Sequence, residues 1–523
     1  MSSATASASA ATRTTYGNWV EQRSVGLGGA GMVGTAVFLL GLVAVMIGLL
    51  LGGLKVALVI LAISAATFTA TGTPLGPRAV RRIGYTRARW SGEHQWRSGV
   101  FTRNPSPATR LPGTLGRLTL LERPDPFGSP FVVIKNPLKG GLYTLVARCV
   151  ADGPWLQDQS RLDGWVAGYA RVLSAAGQEQ ALVCAKAITD TAPDPGGRLA
   201  AMVASMRAPD SPDIARRVMN ECVADYPATS SENVTYVELT FRGRDLHRRG
   251  NETTILSELA RRVPAIVGQL GAAGGGAVSM VTRAELPAIV RVAYDPAAQP
   301  YLEQAALHAG RGGTDYEISW DDAGPVAAQD FWDHYVHDSG RSITWEMFGA
   351  PRAAITELAA APLLMPHRDF TRKRVALVYR PHTPDESVSV SEADANSARF
   401  MASQSKKRMT ALAGLRMTAT DQSRQEVASG SVMVRFSLLV TATVTTTPAG
   451  DFTAIPTAID PDGLDLGFDL DQAAATLEAR AGAVPVRLRR CYGSQAAAFA
   501  ATLPVGLVPW EHTVVPTKVR ELL

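Results

Sequence analysis

The sequence predicts an α+β protein in which an N-terminal transmembrane hairpin of two helices precedes a cytoplasmic domain of split βαβ units. Two observations lead to this fold class. Two apolar stretches follow each other closely near the start of the chain, and strand-like segments alternate with amphipathic helical segments beyond residue 140. With 523 residues, the chain is long enough for an anchor and two or three compact domains.

The first apolar stretch runs from Gly31 to Gly53 without a charged residue, and a helix of that length would span a hydrocarbon core of ~30 Å. The second runs from Val56 to Thr71 after a short link that contains Lys55. The sequence therefore predicts a transmembrane hairpin over residues 31–72. The alternative is a cleaved signal peptide, but its apolar region would be shorter and nearer to Met1.

Positive charge is concentrated directly after the predicted hairpin. The formal charge is +2 for residues 1–77 and +6 for 78–103, so the chain total of +5 leaves −3 for residues 104–523. This collar predicts contact with anionic lipid head groups and a plasma-membrane protein whose termini and large domain are cytoplasmic. Direct binding to nucleic acid is not expected of a domain with net negative charge. The collar arginines are Arg78, Arg81, Arg82, Arg87 and Arg89.

Composition predicts how the chain outside the hairpin is divided into a tail, a connector and two subdomains. We expect a disordered N-terminal tail over residues 1–30, because it is rich in Ser, Ala and Thr. A basic connector covers 73–130, and two α+β subdomains cover 131–310 and 311–523.

The first subdomain is predicted from two βαβ-sized modules. Strands are expected at 142–150, 181–188, 233–241 and 277–281, with helices at 157–176 and 252–270. Thr282 and Glu285 then form a capping box for a further helix.

The second subdomain is predicted from a strand at 373–381, a long polar helical region at 391–429 and a strand at 432–446. A helix at 470–481 and a strand at 484–490 complete it.

Motifs for cofactor and metal chemistry are absent or out of context. GLGGAG at 26–31 matches a dinucleotide-binding pattern but precedes a predicted membrane helix, and no phosphate-binding GK dipeptide occurs. The four cysteines are widely spaced, which predicts reduced and mostly buried thiols and no metal site. We therefore expect no cofactor, no bound metal and no catalytic residue.

The segment DFWDHYVHDSGRSITWE at 330–346 is the main candidate for chemistry. Asp333, His334, His337, Asp338 and Ser339 could hold a metal or form a His/Asp/Ser relay if they share a helix face. No established catalytic pattern surrounds them, so a capped, solvated helix end that terminates at Gly340 is the preferred interpretation.

The segment RRCYGSQAAAFAATLPVGL at 489–507 places a Gly-Ser pair between a strand and a helix. Ser494 lacks the second glycine of a nucleophile elbow, so we expect it to cap the helix together with Gln495. The Ala-rich helix then predicts a docking surface for a partner protein, with these candidate residues: Tyr492, Ser494, Phe499, Leu503 and Pro504.

This segment, the HDSGRSITWEM block and the YGNW entry to the hairpin together resemble a family of actinobacterial integral membrane proteins from conjugative-transfer, type IV secretion-like loci. Members look like a PrgI-like two-helix component joined to a region similar to the N-terminal domain of the transfer ATPase. The resemblance covers about 16–510, and we expect no motor domain of the ATPase after Pro504.

The resemblance implies a non-enzymatic structural component of a transfer apparatus that docks a separate ATPase and other membrane subunits. Two alternatives stay open: a membrane subunit of a type VII secretion machine, and a membrane-tethered hydrolase that uses His337, Asp338 and Ser339, or Ser494.

Overall fold

The computed structural model of the chain describes these residues: 16–17, 31–72, 75–99, 102, 110–138, 140–151, 153, 157–194, 196–229, 231–247, 251–309, 317–349, 354–355, 358–404, 411–445, 470–484 and 486–512. The GLGGAG motif, apart from Gly31, and most of the predicted N-terminal tail lie outside this part of the chain.

The N-terminal region contains a long helix, a basic helix and three strands of the main sheet, besides a short strand at its start. The elements are β1 (Tyr16–Gly17), α1 (Gly31–Gly72), α2 (Leu75–Ser91), β2 (Gln95–Arg97), β3 (Thr119–Pro124) and β4 (Pro130–Asn136). The predicted connector at 73–130 therefore contributes α2, β2 and β3, and β3 pairs with β4.

Helix α1 contains both apolar stretches and breaks at Gly53, where φ is 70°. Its two arms lie against each other so closely that a Cβ added at Gly41 would lie 2.8 Å from the Cβ of Ser64. Within the part of the chain that the structure describes, no helix combines the length and the apolar character needed to cross a membrane. The predicted transmembrane hairpin at 31–72 and the plasma-membrane location are therefore wrong: the two stretches are arms of one broken helix.

The middle of the chain builds a first four-stranded unit. Its elements are β5 (Leu142–Val150), α3 (Gln159–Gln178), β6 (Leu182–Pro193), α4 (Gly197–Met206), α5 (Asp213–Thr229), β7 (Ser231–Arg242), α6 (Gly243–Leu246), α7 (Glu252–Leu270) and β8 (Ala277–Met280). The strand order is β8-β5-β7-β6, and each pair is antiparallel. This order is that of a split βαβ unit.

A linking region follows, and then a second unit with the same arrangement. The elements are α8 (Glu285–Tyr294), α9 (Gln299–Ala309), β9 (Ala327–Asp330), β10 (Tyr335–His337), β11 (Gly340–Gly349), β12 (Ala354–Ile355), α10 (Ala361–Leu364), β13 (Arg372–Pro381), α11 (Pro384–Gln404), α12 (Ala411–Ala428), β14 (Val434–Thr445), α13 (Leu470–Ala483), β15 (Arg487–Arg490) and α14 (Gln495–Ala501). Here the order is β15-β11-β14-β13.

The two units share one continuous sheet, because β6 and β13 pair along seven residues from Lys373↔Thr191 to Tyr379↔Ala185. With the flanking strands, the described sheet has 13 strands. The α+β part of the predicted fold class is therefore correct. The predicted capping box is also confirmed, since the Glu285 amide donates to Thr282 Oγ1 over 3.3 Å and the Thr282 amide donates to Glu285 Oε2 over 2.9 Å.

The two faces of the sheet are covered differently. On the helix face, α7 packs on the first unit through residues such as Leu259, and α13 packs on the second through residues such as Leu477. On the opposite face, the described cover includes α8 and residues 491–508, which include α14. We call residues 491–508 the closing segment and the face beneath it the segment face.

Polar side chains run across the segment face where it meets the closing segment. Lys186 on β6 and Glu238 on β7 are 0% and 1% exposed, and their Nζ and Oε2 atoms are 2.6 Å apart. Lys186 donates to the Ala501 carbonyl oxygen over 3.3 Å, and Glu238 Oε1 accepts from the Gly506 amide over 2.7 Å. A buried ion pair without further bonds would be costly, and the backbone of the closing segment offsets part of this cost with one hydrogen bond to each charge.

Gly506 has a specific steric role in this contact. Its φ is 69°, and an added Cβ would approach Thr144 Oγ1 to 2.4 Å. Glycine is therefore required both for the backbone conformation and for the close approach that brings its amide to Glu238.

We expect Lys186→Met to destabilise the protein by about 3–5 kcal/mol, because it leaves the buried Glu238 carboxylate without its counter-ion. Urea unfolding of the full chain measures the loss. Arg216→Met is the matched control, since the Arg216–Asp213 pair is exposed and such pairs contribute about 0–1 kcal/mol. Equal effects of the two substitutions would contradict the structural role of the pair.

Candidate docking surface

The closing segment begins with a tight turn between β15 and α14. Gly493 adopts φ 75°, and an added Cβ would lie 2.6 Å from the ring of Trp332. Its amide donates to the Trp332 carbonyl oxygen over 2.7 Å. The turn thereby leaves Tyr492 partly exposed, at 37%, and Ser494 exposed.

Ser494 does not cap α14 with its side chain, so that prediction is wrong. The carboxylate of Asp330, at the end of β9, instead accepts from the Ala496 amide over 3.0 Å. Burial raises the pKa of Asp330 to about 6, although the helix amides oppose this shift. Gln495 is buried and bonds to both backbone groups of Thr344, so it ties the helix to β11.

Three of the five predicted docking residues lie in the core. Phe499, Leu503 and Pro504 are buried, and Phe499 has no exposed surface. The Phe499 ring lies 4.6 Å from the His337 ring and 4.6 Å from the guanidinium carbon of Arg374. Of the predicted set, Tyr492 and Ser494 are the residues that a partner can reach in this conformation.

Arg374 shows how polar this part of the core is. It is 1% exposed, and its Nε donates to Thr502 Oγ1 over 3.4 Å. Its two terminal nitrogens have no hydrogen-bond partner among the described residues, and burial lowers its pKa to about 10. The Phe499 ring therefore supplies a cation–π contact that offsets part of the desolvation cost of the guanidinium group.

Outside the core, Tyr492 belongs to an aromatic group that fixes α2 on the sheet. Its ring stacks on Trp332 at 5.9 Å, and Tyr85 of α2 meets Trp332 edge-on at 5.4 Å. The Arg82 guanidinium lies 5.4 Å from the same Trp332 ring, and Arg81 is 3.8 Å from Glu346.

The remaining predicted collar residues, Arg78, Arg87 and Arg89, are exposed on α2. Arginine is suited to this arrangement because it stacks on rings while its edge stays available to carboxylates.

Strand β15 extends this surface. The guanidinium groups of Arg487 and Arg489 lie 5.0 Å and 6.0 Å from the ring of Phe348, which is 45% exposed. Arg489 also pairs with Glu346 over 2.6 Å. We call the surface formed by α2, Trp332, Phe348, Tyr492 and β15 the aromatic–arginine surface.

The predicted His/Asp/Ser cluster does not lie at the end of a helix. Residues 335–349 form the antiparallel hairpin of β10 and β11, in which Tyr335 pairs with Ser342, so the helical prediction is wrong. Ser339 Oγ donates to Asp295 Oδ1 over 2.5 Å, whereas Asp338 accepts from the Val326 and Ala327 amides.

His337 is fully buried and bonds to Ser342 rather than to Ser339. Its Nδ1 lies 2.6 Å from the Tyr294 carbonyl oxygen and its Nε2 lies 2.8 Å from Ser342 Oγ. Because a carbonyl only accepts, Nδ1 carries the proton and Nε2 accepts from the hydroxyl. His337, Asp338 and Ser339 thus each have a structural partner, and His334 Nδ1 lies 2.9 Å from Oδ1 of the neighbouring Asp333. The described residues contain no group of side chains that could hold a metal ion.

Sequence reasoning missed Trp332, Phe348, Arg487 and Arg489 as surface residues. The alternation in RLRR could have indicated Arg487 and Arg489, because residues two apart lie on one face of a strand. Nothing local in the sequence indicates that Trp332 meets Tyr492, since 160 positions separate them.

Comparison with known proteins assigns no family. A scan against models of protein families finds no match to the chain, and a search of curated proteins finds none either.

We expect Phe499→Ala to lower the free energy of unfolding by about 3–5 kcal/mol, because a fully buried ring is removed from the core. Tyr492→Ala should cost about 1 kcal/mol, the value of one aromatic pair. Urea unfolding compares them, and equal losses would mean that Phe499 is not in the core.

We expect the His337 ring to stay neutral from pH 7 to pH 5, because burial lowers its pKa to about 3. The unfolded ring takes up a proton below about pH 6.5. His337 therefore contributes stability above that pH, and the contribution is lost as the pH falls towards 3. Nitrogen chemical shifts of ¹⁵N-labelled histidine report the protonation state, and a midpoint near 6.5 would contradict the buried geometry.

Proposed function

We propose that this protein is a non-enzymatic structural component of a type IV secretion-like, conjugative-transfer apparatus and that it docks a separate transfer ATPase. The proposal combines the family resemblance of the sequence with one structural observation. Within the closing segment, the exposed Tyr492 stacks on the half-buried Trp332, and the Arg82 guanidinium approaches the same Trp332 ring.

Aromatic residues and arginine are the residue types that most often dominate binding at protein interfaces. The stacked pair is also held rigidly, because the turn at Gly493 packs on Trp332 and bonds to its carbonyl oxygen. A rigid surface loses little side-chain entropy when a partner binds. These features support docking at the aromatic–arginine surface.

The hydrolase alternative has less support. The hydroxyl of Ser339 is bonded to Asp295, and the only histidine of the candidate relay that is near a serine is His337, whose partner Ser342 is fully buried. A substrate has no route to that hydroxyl in this conformation.

We expect tagged protein to co-purify with an ATPase encoded at the same locus, and Tyr492→Ala to reduce its recovery at least fivefold. The reason is the loss of the stacked aromatic pair from the proposed interface. Mass spectrometry of the purified complexes gives the recovery. Phe127→Ala is the control, because Phe127 is an 81% exposed aromatic residue at the turn between β3 and β4. If no ATPase is recovered with any variant, the proposal fails.

Catalysis is tested separately. We expect Ser339→Ala and Ser494→Ala each to leave transfer efficiency unchanged once protein levels are matched, because the proposed function uses neither hydroxyl as a nucleophile. Immunoblotting gives the protein level and a mating assay gives the transfer frequency. A loss of transfer with either variant at normal protein level would favour the hydrolase.

A further inference from the structure

A cavity of about 340 Å³ lies on the helix face of the first unit, between α3 and α7. Residues of β6 and β7, such as Ala187 and Leu239, form its floor, and the two helices form its walls. Every residue that lines it belongs to the described part of the chain. Protein interiors contain few voids larger than a water molecule, whereas small-molecule sites begin at ~300 Å³. The cavity therefore has the size of a ligand site.

Close contacts on both sides of the cavity keep α3 away from α7. Gly168 of α3 meets the turn that follows α7, where an added Cβ would lie 2.5 Å from the Ala272 carbonyl oxygen. At the end of α3, Gly177 lies so close to Val432 that a Cβ has no room. Because the contact at Gly168 is already tight, α3 cannot move towards α7 to fill the space. Small side chains also line the cavity: Ala175, Ala176, Ala185, Ala187 and Ala265.

Two tyrosine hydroxyls supply a polar group at one end of the cavity. Tyr169 of α3 donates to the Tyr379 hydroxyl of β13 over 2.8 Å, and the two rings meet edge-on. The Tyr379 hydroxyl has no other hydrogen bond among the described residues. Burial raises the pKa of both tyrosines, so both remain protonated at neutral pH. The pair therefore has one proton that it can donate to an acceptor in the cavity.

The charged side chains at the other end of the cavity balance each other. Glu179 lies about 15 Å from Tyr169 along α3, and its carboxylate pairs with Arg262 over 2.5 Å. Glu258 pairs with Arg261 and lies 3.3 Å from Arg262. Two arginines thus meet two glutamates, and this end has no net charge that would select an ionic ligand.

The dimensions of the cavity exclude a helix of a partner protein. One helical turn with its side chains is ~10 Å across and ~5.4 Å high, so it occupies roughly 420 Å³. This volume exceeds that of the whole cavity. Helices α3 and α7 also contact each other, so a third helix cannot enter between them. A small molecule is the occupant that fits.

We propose that the cavity between α3 and α7 binds a neutral, elongated, apolar small molecule with a carbonyl oxygen at one end. The carbonyl oxygen accepts from the Tyr379 hydroxyl, and the apolar body of the ligand lies on Ala187 and Leu239. The site is on the face of the sheet opposite to the closing segment. The inference therefore goes beyond the proposed docking function and does not depend on it.

The test uses the full chain and a dimethylaminonaphthalene ketone, a neutral fluorophore whose emission shifts to the blue in an apolar site. Exposed apolar residues of α1, such as Leu50 and Leu51, also attract this probe, so the quantity measured is the saturable component that Ala187→Leu removes. Leucine at 187 fills the cavity from its floor, so it should weaken this binding at least tenfold without lowering stability in urea. Ala215→Leu, at an exposed site on α5, is the matched control and should leave binding unchanged.

The hydroxyl pair is tested by comparing two variants. Tyr169→Phe keeps the Tyr379 donor, whereas the double variant Tyr169→Phe/Tyr379→Phe removes both hydroxyls. We expect the double variant to bind the ketone at least fivefold more weakly than Tyr169→Phe does, because one hydrogen bond to the ligand is lost. Both should bind the ketone-free propyl analogue of the probe equally. These substitutions keep the ring volume, so they decide the question even if Ala187→Leu does not fold.

The proposal is overturned if no saturable binding of the ketone occurs or if Ala187→Leu binds it as the unchanged protein does. It is also overturned if loss of both hydroxyls leaves ketone binding unchanged or weakens the propyl analogue equally. Tighter binding of a carboxylate analogue than of the ketone would refute the neutral ligand class.

Discussion

The closing segment lies across both halves of the sheet, and the buried pair of Lys186 and Glu238 fixes its position. Neither charge is fully satisfied by the other, because each has additional bonding capacity that must be met away from water. Ala501 and Gly506 meet part of it with backbone groups that no side-chain substitution removes. Since the two groups are five residues apart, they set both the position and the direction of the segment after α14.

The same segment connects the first unit to the second. Lys186 and Glu238 belong to the first unit, whereas Thr502 Oγ1 lies 3.0 Å from Thr441 Oγ1 in the second. Thr441 in turn lies 2.9 Å from Thr344 on β11. A row of hydroxyl groups thus continues the polar strip across the pairing of β6 with β13. We infer that the segment holds the two units at one register, because sliding of either would break side-chain bonds as well as the ladder.

Most regular elements could be predicted because their signals are local. Strand β5 occupies the predicted residues 142–150, and α7 the predicted 252–270. The predictions failed where contacts between residues that are distant in the sequence determine the local structure. His334 and His337 have helical spacing, yet Tyr335 and Ser342 pair across a hairpin. Ser494 has the identity of a helix cap, yet Asp330, from a strand far earlier in the sequence, supplies the capping carboxylate.

The predicted docking residues also show that composition does not distinguish a buried residue from an interface residue. Composition alone marks Phe499 and Leu503 as apolar residues of a smooth helix, which suits a core as well as an interface. Burial separates the two uses: α14 is only seven residues long and packs against Thr344, Tyr335 and Asp330, so its apolar side is already filled. A partner that required Phe499 would have to open the core and expose the polar strip beneath it. The aromatic–arginine surface needs no such opening, because Tyr492, Arg487 and Arg489 are exposed while the closing segment stays in place.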